Sequence, residues 1–115
     1  MDLKNRTMLT EEKWRQFPFY KQILMIANEL NRAKNWLSKK DFQEVKGCYE
    51  RALELVDLTV DVLIDKRYLK ELLRFREVLA EMYIDNEFAE KQNNKLITVL
   101  LLFDKDSYNI LAGDK

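Results

Sequence analysis

Apolar residues recur along most of this chain at steps of three and four, the repeat of one face of an α-helix. Phe19, Ile23, Ile26, Leu30, Ala33 and Leu37 mark one such face over residues 18–38, with Lys21, Asn28, Arg32 and Asn35 opposite. Phe42, Val45, Tyr49, Ala52, Val56 and Leu63 mark a second over 42–64, its arc widened by Leu53, Val60 and Val62. Tyr68, Leu72, Phe75, Leu79 and Met82 mark a third over 66–84. A fourth segment, 88–103, is apolar nearly all the way round from Leu96 onward, and its pattern can run on through Tyr108 to Leu111.

Helix start and stop signals punctuate these faces. Thr10 before Glu11 and Glu12 predicts an N-cap with acids in the first turn, opening a short helix to Phe17. Pro18 restarts the chain, because proline suits a first turn and not an interior. Ser38-Lys39-Lys40 closes the first long helix with cations where the dipole favours them. Asp41 with Glu44 resembles a capping box, Asp65 is a further cap, and at Asp85-Asn86 the chain either breaks or runs on as helix. Two turns, near residues 40 and 86, give two helical hairpins. The expected fold is all-α: a single domain over 1–115, built as a small bundle of four main helices in two antiparallel hairpins, plus a short N-terminal helix. Polar residues 1–9 are expected to be loose.

Composition then narrows the chemistry. The chain has no histidine, one cysteine and two glycines. Histidine is the commonest metal ligand and the side chain that titrates near neutrality, and glycine makes the loops that cradle phosphate. No catalytic, cofactor-binding or metal-binding residue is therefore expected, and an enzyme using carboxylates and tyrosines in a cleft is the weakest reading. A single Cys48 allows no internal disulfide. The start, Met1-Asp2-Leu3-Lys4, lacks the apolar run of a signal peptide. The stretch Leu96–Phe103, interrupted by Thr98, is less than half the length a bilayer requires. A cytoplasmic protein without membrane contact is expected. Its formal net charge is zero, which disfavours nucleic acid as partner without removing a local patch.

At about 100° per residue, Glu50, Glu54, Asp57, Asp61 and Asp65 fall in one narrow arc opposite the apolar face. Like charges at i,i+4 and acids near a helix C-terminus both oppose the helix, so this ridge is either a solvated face or a docking ridge for a basic partner. The next helix carries Lys66, Lys70 and Arg74 on one stripe, continued by Glu77, Glu81 and Asp85 with reversed sign. Part of it can neutralise the ridge, with Asp61 and Lys70 at similar heights; alternatively two copies about a two-fold axis set plus against minus. Arg76 sits inside the apolar arc, as a buried charge needing a partner or as a side chain that snorkels to the edge. Leu96, Ile97, Val99, Leu100, Leu101, Leu102 and Phe103 are either buried within one chain or shared with another subunit. Trp14, Phe17, Phe19 and Tyr20 gather around Pro18, to staple the N-terminal segment or line a small groove. Cys48, at the edge of an apolar arc with no activating cation in the local sequence, reads as inert packing.

Asp41-Phe42, Val45, Tyr49 and Ala52-Leu53 resemble the second helix of a tetratricopeptide motif, with Ala33 and Trp36 on its first helix. Arg32 stands where that motif has a large apolar residue, and no second copy follows at the expected period. With Ala27 and Leu30, the same segment, residues 27–55, is similar to the first hairpin of HEPN-type bundles. That resemblance implies a small all-helical domain of the kind often partnered with nucleotidyltransferases. Its ribonuclease members place a histidine a few residues after an arginine; Arg74 and Arg76 have none after them, so ribonuclease activity does not carry over. The function expected is a non-catalytic interaction subunit, self-associating or bound to another protein. The alternative is a nucleic-acid accessory protein using Lys39, Lys40 and Lys46 or the stripe Lys66, Arg67, Lys70 and Arg74.

Overall fold

The computed structural model describes residues 10–86 and 88–103, and among these all regular structure is helical. In chain order the helices are α1 (Glu11–Arg15), α2 (Phe19–Ser38), α3 (Phe42–Val62), α4 (Leu69–Ile84) and α5 (Glu90–Leu101). A single 3-10 turn, Lys66–Tyr68, leads into α4. The expected extension from 104 to 111 and the expected loose segment 1–9 lie outside the described residues.

Local signals set these boundaries. The Thr10 side chain accepts from the Lys13 amide and caps α1. Pro18 lies just before α2 with φ −64°, and its carbonyl accepts from Lys21 and Gln22. At the end of α2, the Asp41 amide reaches back to the Trp36 carbonyl and the Lys40 amide to the Leu37 carbonyl. That paired closure puts Lys40 in the left-handed region at φ 58°, a conformation disfavoured for a residue with a Cβ. Asp41 then caps α3 by accepting from the Glu44 amide. Only half of the expected capping box forms, because the Asp41 amide is already committed to Trp36. Asp65 caps the 3-10 turn through the Arg67 amide. Asn86, at φ 56°, reverses the chain after α4; asparagine tolerates this region better than most residues.

The hairpin of α2 and α3 is the centre of the bundle, and its facing stripes Ile23, Ile26, Leu30, Ala33 and Val45, Tyr49, Ala52, Val56 are buried. Helix α4 returns along α3 and buries Leu72, Phe75, Leu79 and Met82. The pairs Asp57–Arg76 and Glu50–Tyr83 give its antiparallel register. After the turn at Asn86 the chain leaves α4: α5 takes α2 as its main neighbour and touches α4 only lightly. The hairpin near residue 86 is therefore looser than the one near residue 40. Each fully buried Leu, Ile or Phe contributes about 1.5–3 kcal/mol, which is what orients these amphipathic helices.

Polar groups inside the bundle specify how the helices meet. Asn93 of α5 is fully buried. Its Oδ1 accepts from the Tyr49 hydroxyl at 2.8 Å, and its Nδ2 donates to the Leu30 carbonyl at 2.9 Å. One side chain thus ties α5 to both central helices. Trp14 donates from its indole to Thr59 Oγ1 at 2.9 Å, and that hydroxyl donates to the Leu55 carbonyl, which anchors α1 on α3. Gln22 donates to the carbonyls of Trp14 and Phe17, filling the break between α1 and α2.

Replacing Asn93 with Ala is expected to cost about 2 kcal/mol in urea unfolding, because Tyr49 loses its acceptor and a small cavity opens. Tyr49→Phe in the same background is expected to cost less than in wild type, a non-additivity of about 0.5 kcal/mol or more. Burial pushes the Tyr49 hydroxyl up to about 12 from its ordinary value of 10. The unfolded chain therefore ionises first, so the stability that this tyrosine holds is complete below pH 10 and is lost between pH 10 and 12. Thermal melts over that window should fall more steeply for wild type than for Tyr49→Phe.

Candidate interaction surfaces

Helix α5 divides the apolar segment between core and surface. Leu96, Leu100 and Phe103 are buried, Ile97 and Leu101 are half-buried, and Val99 and Leu102 are exposed, Leu102 at 70%. Asn93 shares the buried stripe at steps of three and four, the position that marks it as a core residue in the sequence. Of this apolar segment, only Val99 and Leu102 are exposed.

The acidic ridge does not face solvent as one surface. Glu50 and Glu54 are half-buried, and the Tyr83 hydroxyl of α4 donates to Glu50. Asp57 accepts from Arg76 Nε at 2.5 Å and from Nη2 at 3.3 Å. Asp61 is exposed, and Asp65 has left the helix to cap the 3-10 turn while holding the Arg67 guanidinium. The expected pairing of Asp61 with Lys70 does not form; Asp57 pairs with Arg76 instead, and Asp61 and Lys70 are both exposed. Arg76 is accordingly not a buried charge. Its side chain is 42% exposed and reaches from the apolar arc of α4 to the edge of α3. The hydrogen bond that Arg76 donates to Asp57, with the charge of that carboxylate, raises the Arg76 pKa above its ordinary value.

Lys66, Lys70, Arg74, Glu77, Glu81 and Asp85 are all exposed, and none forms an ion pair among the described residues. Leu73 and Val78 lie beside them, 46% and 40% exposed. Ile64 and Ile84 are exposed at the ends of the neighbouring turns. The cations proposed for nucleic acid are more dispersed. Lys39 lies over the Trp36 ring, Lys46 over the Tyr83 ring, and Arg67 is clasped by Asp65.

An unforeseen ion cluster joins α2 to α3. Glu29, nearly buried, accepts from Arg51 Nε at 3.1 Å and Arg32 Nη1 at 3.3 Å. Arg51 also approaches Cys48 Sγ at 3.5 Å, so a cation stands beside the thiol after all. Burial outweighs it and raises the Cys48 pKa, which keeps the thiol protonated and unreactive. An open groove of about 410 Å³ lies where α1 meets α2, lined by Phe17, Pro18, Phe19, Gln22, Leu63 and Tyr68 among others. Phe19 stacks on Tyr68 at 4.8 Å, so the aromatics around Pro18 both staple α1 down and border this groove.

Comparison with known proteins finds no family model, no curated protein and no solved structure that matches the chain. Among the described residues, no helix is long and apolar enough to cross a membrane.

Asp57→Asn should lower stability by up to about 1 kcal/mol, the ceiling for a half-exposed ion pair. Asp61→Asn should be neutral or slightly stabilising, since it relieves i,i+4 repulsion with Asp57 and breaks no bond. Melts at low and high salt check this: salt should narrow the gap between wild type and Asp57→Asn.

Proposed function

We propose that this chain is a non-catalytic helical interaction module and that its first partner is a second copy of itself. One observation carries the reading: α4 presents Leu73 and Val78 to solvent within a strip of unpaired charges of both signs. A strip of mixed sign with apolar edges suits a protein surface better than a polyanion, which calls for cations alone. The exposed Val99 and Leu102 of α5 add a second apolar surface. The zero net charge supports the same reading.

Sedimentation equilibrium at tens of micromolar in low salt is expected to give a dimer, with a mass that falls on dilution. A monomer throughout that range overturns self-association. Fluorescence anisotropy with a labelled single-stranded oligonucleotide tests the other reading. Binding that weakens steeply with salt would favour a nucleic-acid accessory role through Lys66, Lys70 and Arg74.

A further inference from the structure

Helix α4 bears a charge palindrome. Taking the point between Phe75 and Arg76 as centre, Arg74 mirrors Glu77, Lys70 mirrors Glu81 and Lys66 mirrors Asp85, each position matched by the opposite sign. Two of the exposed apolar residues obey the same mirror, Leu73 against Val78; Ile84, at the C-terminal end, does not. The outward arc of α4 holds Lys70, Leu73, Arg74, Glu77, Val78 and Glu81, opposite the buried stripe Leu72, Phe75, Leu79 and Met82, while Lys66 stands in the 3-10 turn before the helix and Asp85 at its C-cap.

This order disfavours the helix that carries it. Along this strip the cations stand at the N-terminal half and the acids at the C-terminal half, both against the macrodipole, while Glu71 in the first turn is set the other way. Lys70 with Arg74, and Glu77 with Glu81, are like-charged at i,i+4. No ion pair within the described residues relieves them, whereas the inward-leaning Arg76 has found Asp57. A second α4 laid antiparallel on the first reverses every one of these signs. A two-fold axis between Phe75 and Arg76 puts Lys70 opposite Glu81 of the second copy and Arg74 beside its Glu77. It also aligns the two dipoles head to tail and brings Leu73 and Val78 each toward its own symmetry mate at the two edges of the strip.

We infer that the chain forms a two-fold dimer through antiparallel contact of α4 with α4 of a second copy, centred between Phe75 and Arg76. The inference rests on the self-association proposed above and names its seat. A parallel arrangement is opposed by the same residues, since it sets Lys70 against Lys70 and Glu81 against Glu81.

Complementary charge reversal tests it by sedimentation equilibrium in low salt. Lys70→Glu with Arg74→Glu leaves the strip acidic but for Lys66, and Glu77→Lys with Glu81→Lys leaves it basic but for Asp85. Each variant alone should associate at least about tenfold more weakly than wild type, and a one-to-one mixture should recover or exceed wild-type affinity. Lys95→Glu, exposed on α5, should leave the dimer unchanged. Dimeric wild type with both reversed variants equally dimeric overturns the α4 contact while leaving self-association standing. Monomeric wild type overturns both.

Disulfide capture keeps the orientation testable if a reversed variant unfolds. Lys70→Cys and Glu81→Cys proteins, mixed and mildly oxidised, should cross-link to each other and neither to itself. The two positions are about 16 Å apart along one helix, beyond the reach of a disulfide across the axis between like positions. Self-linking of Lys70→Cys, or no cross-link in the mixture of a protein that is dimeric, overturns the antiparallel register.

Discussion

The amide of Asn93 holds the bundle in one arrangement. Four amphipathic helices could pair in several ways, because Leu, Ile and Phe stripes are not directional. A buried amide is. Its acceptor takes the Tyr49 hydroxyl and its donor takes the Leu30 carbonyl, so α5 fits only where both are in reach. Misplacing α5 would leave three polar groups without partners in the core, at about 1–3 kcal/mol each. Trp14 with Thr59, and Gln22 with two main-chain carbonyls, apply the same rule to the short helix α1, which five residues could not hold in place alone.

Charge is used in two ways. Where α4 lies on α3, Asp57 with Arg76 and Glu50 with Tyr83 set the register of the two helices, at half-exposed positions where each bond contributes little. On the far side of α4, the charges form no ion pair among the described residues. They oppose the helix dipole and one another, and the helix forms because its buried face outweighs them. A self-complementary strip with this geometry turns a local cost into specificity, since wrong registers and parallel pairing meet like charge. Self-association is the proposal that this arrangement supports best.

How much of this was legible from the chain depends on the range of the interaction. The all-α class, the five helices and most of their ends follow from residues within one turn of each other: Thr10, Pro18, Asp41 and Asp65 act locally, and the apolar repeats name the core from Ile23 to Leu79. The palindrome on α4 is likewise readable from spacing alone, as is the exposure of its charges opposite an apolar stripe. Helical geometry is periodic, and periodicity survives in one dimension.

What only the tertiary structure decided are the choices between partners distant in sequence. The acidic ridge looked continuous, yet α4 covers Glu50 and Glu54 and leaves Asp61 to solvent. Arg76 could be a buried charge or reach the edge of the bundle; it extends to the edge until it meets a carboxylate, and the register placed Asp57 there. Cys48 acquired a cation from one turn further along α3, held in place by Glu29 of α2. The last segment, apolar on all sides, was split into a buried stripe of Leu96, Leu100 and Phe103 and an exposed edge of Val99 and Leu102 once α5 packed on α2 rather than α4. In each case the local pattern allowed several partners, and the distance between helices selected one.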